Sequence, residues 1–103
     1  MYIIIFVTAS SREEAQKIAS GVLAEKLAAC ANILENVESH FWWQGKLDQA
    51  KETLVILKTR KKLFNKLTKK VKSLHSYEVP EIIALPIISG NKAYLDWIDD
   101  STK

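Results

Sequence analysis

Ala29-Cys-Ala-Asn-Ile-Leu-Glu-Asn-Val-Glu-Ser-His-Phe-Trp-Trp43 is the stretch on which the fold turns. Its apolar residues recur every second position, at Ala29, Ala31, Ile33, Val37, Phe41 and Trp43, with Glu35 and Ser39 interrupting the face. A period of two predicts a strand. Gln44-Gly45 follows as a turn signal, and polar residues run through Glu52 to a second β-rich segment, Thr53-Leu-Val-Ile-Leu-Lys-Thr59. Two such segments around a turn predict a long antiparallel hairpin.

On the N-terminal side, Tyr2-Ile-Ile-Ile-Phe-Val-Thr8 is short, β-branched and aromatic, and predicts a buried strand. Ser11-Arg-Glu-Glu14 then matches a capping box, with Ser11 accepting an amide and Glu14 reaching back. Ala15, Ile18, Ala19, Val22, Leu23 and Leu27 continue at helical spacing, with Gly21 a weak point among them. On the C-terminal side, Leu63, Phe64, Leu67, Val71 and Leu74 mark a second helix. Glu81 to Pro86 predicts a short strand, and Ser89-Gly-Asn91 opens a final short helix carrying Tyr94, Leu95, Trp97 and Ile98. The order β-α-β-β-α-β with a helical tail predicts an α+β, ferredoxin-like sandwich with two helices on one face of a four-stranded antiparallel sheet.

The chain's 103 residues fit a single domain over 1–103, and 48% apolar residues suffice for one core. The only cysteine, Cys30, excludes an intrachain disulfide and an all-cysteine metal site, and it fits a reducing, cytoplasmic setting. No apolar run approaches the roughly 20 residues that span a bilayer, so no membrane partner is expected. The net charge of +3 is modest. Eight basic and no acidic residues fall between Lys58 and Lys72, however. They predict a solvated helix face rather than a nucleic-acid surface, because helix two has no interleaved aromatics.

Two helices leave one face of such a sheet open. Tyr2–Val7 and Thr53–Leu57 are apolar on both faces, and Phe41, Trp42 and Trp43 point alternately to either side at the hairpin end. Such a surface predicts self-association unless the tail with Trp97 folds back over it.

Few residues carry chemistry. Cys30 reads as a small buried hydrophobe or as a soft thiolate ligand for copper or zinc. His75, in Leu74-His-Ser-Tyr-Glu-Val-Pro-Glu81, reads as a helix-terminal cation or as a metal ligand or acid/base group. Tyr77, Glu78 and Glu81 lie beside it in an irregular segment held by Pro80. Lys58-Thr-Arg-Lys61 reads as an anion-binding start of helix two or as a Thr59 N-cap. His40 is expected in solvent. Phosphate-loop, dinucleotide and hydrolase signatures are absent.

Leu27-Ala-Ala-Cys-Ala-Asn-Ile33, Phe41-Trp-Trp-Gln-Gly-Lys46, Leu57-Lys-Thr-Arg60, Leu74-His-Ser-Tyr-Glu-Val-Pro-Glu-Ile82 and Tyr94-Leu-Asp-Trp97 occur in this order. Together they resemble the CutA divalent-cation tolerance proteins over essentially the whole chain. The resemblance implies a non-enzymatic, cytoplasmic homotrimer, similar in architecture to PII-like signalling proteins, with a role in tolerance of divalent metals and above all copper. It implies Cys30 and His75 as metal ligands by their motif positions, with His75 and the carboxylate of Glu78 or Glu81 suited to Cu(II) before Zn(II), and Cys30 better suited to Cu(I) where its sulfur is accessible. It implies Trp43, Lys58, Thr59 and Tyr77 around a cleft between subunits, and Phe41, Trp42 and Trp43 in the trimer contact. Ser76 stands where the family commonly has proline, which removes a rigid turn element beside His75. The PII-like likeness implies an alternative, a module binding a small anionic ligand between subunits.

Overall fold

The computed structural model describes all 103 residues. Strand β1 (Tyr2–Ala9) is followed by helix α1 (Arg12–Ala24) and by strands β2 (Cys30–Trp43) and β3 (Lys46–Arg60). A 3-10 turn over Lys61–Leu63 leads into α2 (Phe64–Leu74), then β4 (Ile82–Pro86) and α3 (Lys92–Ser101). The strands form one sheet in the order β2-β3-β1-β4 with every neighbour antiparallel. This is the expected ferredoxin-like arrangement.

Register assigns the faces. Ile3, Ile5, Val7 and Ala9 of β1 pair with Thr59, Leu57, Val55 and Thr53 of β3, and all eight are buried. They meet Ala15, Ile18 and Val22 of α1 and Leu67 and Val71 of α2 in the core. Each large aliphatic side chain removed from water here contributes about 1.5–3 kcal/mol. The intervening residues, among them Ile4, Phe6, Leu54 and Ile56, face the other side and are only partly covered.

The two helices touch at Gly21, where an added methyl group would stand 2.6 Å from Leu74 Cδ1. Gly21 thus permits close packing instead of merely weakening α1. Helix α1 ends at Ala24, short of the predicted Leu27. The Lys26 amide bonds Leu23 O and the Leu27 amide bonds Val22 O, with Lys26 at φ 56°. These paired bonds close the helix end with a left-handed residue, a place usually given to glycine.

The hairpin is longer and less regular than its apolar period suggests. Strand β3 begins at Lys46, not Thr53, because the turn residues Gln44 and Gly45 both adopt positive φ, as a two-residue hairpin requires. Leu34 pairs with Leu54 but Val37 with Glu52, so Glu35 and Asn36 together oppose Thr53. Asn36, at φ 62°, takes up the extra residue as a β-bulge. The face read as continuous is therefore split. Ala31 and Ile33 point toward the helices, whereas Val37, Phe41 and Trp43 point to the opposite face.

β1 ends opposite Thr53, so the rest of the hairpin projects as a two-stranded arm, and the whole molecule, arm included, measures 44 Å in its longest dimension. Trp42 is 71% and Trp43 54% exposed on that arm, and Phe41 is half-buried. The tail covers only part of the open face. Ile98 of α3 is fully buried, and Arg60 donates to both Oγ1 and the carbonyl oxygen of Thr102. Ile83, Leu85, Leu34 and Trp97 remain substantially exposed. No helix is long and apolar enough to cross a membrane.

Candidate functional site

The site begins with the cap of α1. Ser11 Oγ accepts the Glu14 amide at 3.1 Å, as the capping box predicts. The reach back differs, since the Glu14 carboxylate takes the amide and hydroxyl of Ser10 rather than the Ser11 amide. It also crosses to the segment after α2, where Ser76 supplies its amide and its hydroxyl. Burial by itself would raise this carboxyl. The hydrogen bonds from Ser10 and Ser76 outweigh burial and hold it at about 2. Proline at position 76 would lack both donors, so here the serine's bonds to Glu14 fix the turn.

That turn positions His75, whose side chain is fully buried. Its Nε2 lies 2.7 Å from Thr8 O, and its Nδ1 accepts the Tyr77 amide at 3.0 Å. A carbonyl can only accept and an amide only donate, so these partners assign the neutral tautomer protonated on Nε2. Glu14 Oε1 stands 3.5 Å from Nδ1. Both ring nitrogens are occupied, and neither presents a free lone pair to a metal. Within one chain His75 therefore acts as a tie between α2 and β1.

The Tyr77 ring packs at 4.7 Å from the His75 ring, and its hydroxyl donates to Glu52 Oε2 at 2.8 Å. Burial, reinforced by the Glu52 carboxylate, pushes the Tyr77 phenol up to about 12. The Glu81 carboxyl is likewise raised, first by lost hydration and then by the charge of Glu52. Glu52 and Glu81 form no ion pair with any cation of the chain. Glu78 is exposed.

The remaining predicted residues lie elsewhere. Cys30 pairs with Lys58, which pairs in turn with Ile4. This sets it roughly 13 Å along the strands and 10 Å across them from Thr8. It stands on the open face, half-buried, with its thiol directed at Asn32 Oδ1. Cys30 and His75 therefore do not share a site within one chain, and no three His, Cys, Asp or Glu side chains converge to hold a metal. Lys58 Nζ lies on the open face, 6.0 Å from the Tyr94 ring centre. Thr59 faces the opposite way, fully buried, with its hydroxyl bonding Leu27 O at 2.7 Å. It does not cap α2. Trp43 is six residues beyond the level of Glu52, roughly 20 Å away along the arm. His40 is exposed and paired with Glu38, as expected.

The structure thus joins His75, Tyr77 and Glu81 with two residues that the sequence did not single out, Glu14 and Glu52. Glu14 was visible only as half of a capping box. Glu52 gave no signal, because its place beside Tyr77 depends on a contact between segments 25 residues apart.

The sequence matches the family described as CutA1 divalent ion tolerance protein over residues 3–101. It is 47% identical to the divalent-cation tolerance protein CutA of Archaeoglobus fulgidus over 103 residues, covering all of both chains. It is 46% identical over 101 residues to rice protein CutA 1, chloroplastic, covering 98% of this chain and 57% of that one. The chain therefore spans little more than half the length of this plant relative. Among solved structures, the CutA of A. fulgidus, described as periplasmic, superposes with a TM-score of 0.97 at 47% identity. The CutA1 of Thermus thermophilus gives 0.98 at 44% identity. Each covers 100% of both chains. With the sheet order, the long hairpin and the sequence agreeing from end to end, the chain belongs to the CutA1 family of divalent ion tolerance proteins.

Proposed function

We propose that this chain is a non-enzymatic, homotrimeric protein of the cytoplasm that binds copper(II) where subunits meet, beside Glu52 and Glu81. The observation that carries this reading is the pair of carboxylates, mutually repulsive and without a cation of the chain's own. A divalent ion relieves that repulsion, and at a given nitrogen and oxygen site copper(II) binds more tightly than zinc. No three His, Cys, Asp or Glu side chains converge within one chain, which favours a site completed by a second copy. The apolar surface over Leu34, Ile83 and Leu85 and the exposed Trp42 and Trp43 support self-association. The number three rests on likeness to the family, and the cytoplasmic setting on the free thiol of Cys30. Native mass spectrometry with one equivalent of copper per chain tests the reading. The expected result is a mass near three chains carrying three copper ions, with the adduct lost in the Glu52→Gln/Glu81→Gln variant. A monomer, or copper retained in full by that variant, overturns it.

A further inference from the structure

A second concave site lies at the end of the molecule where α1 stops, α2 begins and the tail returns. It is a cleft of about 450 Å³ lined by five cations, Lys26, Arg60, Lys62, Lys66 and Lys103, against a single carboxylate, Glu25. That carboxylate is engaged elsewhere, 2.6 Å from Lys70 Nζ. Lys103 pairs with Asp100. Arg60, its side chain 17% exposed, stands 3.9 Å from Asp99 Oδ1 and is fixed by its bonds to Thr102, which use two of its five N–H donors. Lys26, Lys62 and Lys66 form no ion pair at all. Lys62 and Lys66 are four residues apart across the start of α2, a spacing that places both on one face. No acidic residue stands in that first turn.

Concentrating like charge around a concavity is unfavourable until an anion enters it. Lys26 adds a separate cost. It occupies the left-handed position that closes α1, where glycine is unstrained and a lysine is strained. The sequence therefore places a cation at the rim of the cleft against the backbone's preference.

We propose that this cleft binds a small anion carrying linked phosphate groups, with Arg60 as the fixed fork and Lys26, Lys62 and Lys66 closing around it. Three unpaired ammonium groups beside a guanidinium call for several negative charges on one compact ligand, which a lone carboxylate does not supply. The cleft lies within one chain and is independent of the copper reading. It is also distinct from an anionic ligand held between subunits.

Calorimetric titration of the metal-free full chain with inorganic tripolyphosphate, at 50 and 200 mM salt, tests this. The expected result is one site per chain that weakens as salt rises. Lys62→Gln/Lys66→Gln lowers the affinity at least tenfold, and Lys69→Gln/Lys72→Gln on the same helix changes it less than twofold. Lys26→Gly raises the melting temperature while weakening tripolyphosphate several-fold, which separates loss of the site from loss of the fold. Absence of binding by the wild-type chain overturns the proposal. So does equal weakening by the two lysine pairs, which would mean diffuse attraction to the basic helix, and so does an unchanged affinity in Lys26→Gly.

Discussion

His75 Nε2 donates to the carbonyl oxygen of Thr8 across 2.7 Å, joining residues 67 positions apart in the chain. With Nδ1 held by the Tyr77 amide, the imidazole bridges the end of α2, the end of β1 and the segment leading to β4. His75→Ala would leave the partly buried Thr8 carbonyl and Tyr77 amide without this partner, at about 1 kcal/mol each or more. Denaturant unfolding should show a loss of at least about 2 kcal/mol. Copper affinity of the folded fraction should stay within about twofold, and a tenfold loss there would restore a ligand role to His75.

Glu14 links stability to acid. Its carboxyl is held at about 2 in the fold, well below the usual carboxylate range. A depressed folded-state value gives stability that is fully present above the unfolded value and is lost as pH falls toward 2. The amount is on the order of 3 kcal/mol. Unfolding followed from pH 6 to pH 2 should show this decline below about pH 4.5, and Glu14→Gln should flatten it while lowering stability at pH 7. An equally steep decline in the variant would assign the acid sensitivity to other groups.

Thr59 is a tie between β3 and the segment after α1. Thr59→Val keeps the shape of the side chain but strands Leu27 O in the core, for about 1–3 kcal/mol. Thermal unfolding should register that cost, and neither copper nor tripolyphosphate binding should change. A stable variant with impaired ligand binding would contradict this assignment.

Gly21 tests the helix contact. In an exposed helix, alanine for glycine gains about 1 kcal/mol. Here the new methyl meets Leu74 Cδ1 at 2.6 Å and Leu74 must rotate away. Gly21→Ala should therefore yield less than half of that gain in chemical denaturation, with a larger gain appearing in the Gly21→Ala/Leu74→Ala pair than the two single changes predict together.

Asn36 holds the bulge. Asparagine tolerates φ 62° and a β-branched residue does not, so Asn36→Val should cost about 1–2 kcal/mol, whereas Asn36→Gly should be close to neutral. Equal stability of the two variants would show that the bulge persists without help from the residue occupying it.

Most of the architecture is local, and local patterning was enough to read it. Alternating apolar residues in Ala29–Trp43, helical spacing after Ser11, the Gln44-Gly45 turn and the amphipathic run from Leu63 each specify an element through side-chain periodicity and backbone preference, and their order gives the sheet. The site is different in kind. The sequence named His75, Tyr77 and Glu81 because they are neighbours along the chain. It could not reveal that backbone groups claim both nitrogens of His75. Nor could it show that Cys30 lies on the open face of the sheet, or that Thr59 points into the core. Those outcomes depend on strand register, and one extra residue at Asn36 reverses which face each later side chain of β2 meets. Glu52 reaches Tyr77, and Lys26 comes to line one cleft with Lys62 and Lys66, because the fold brings together segments distant in sequence. Residue types set which partners each group can accept, but only the tertiary structure brings those partners within reach.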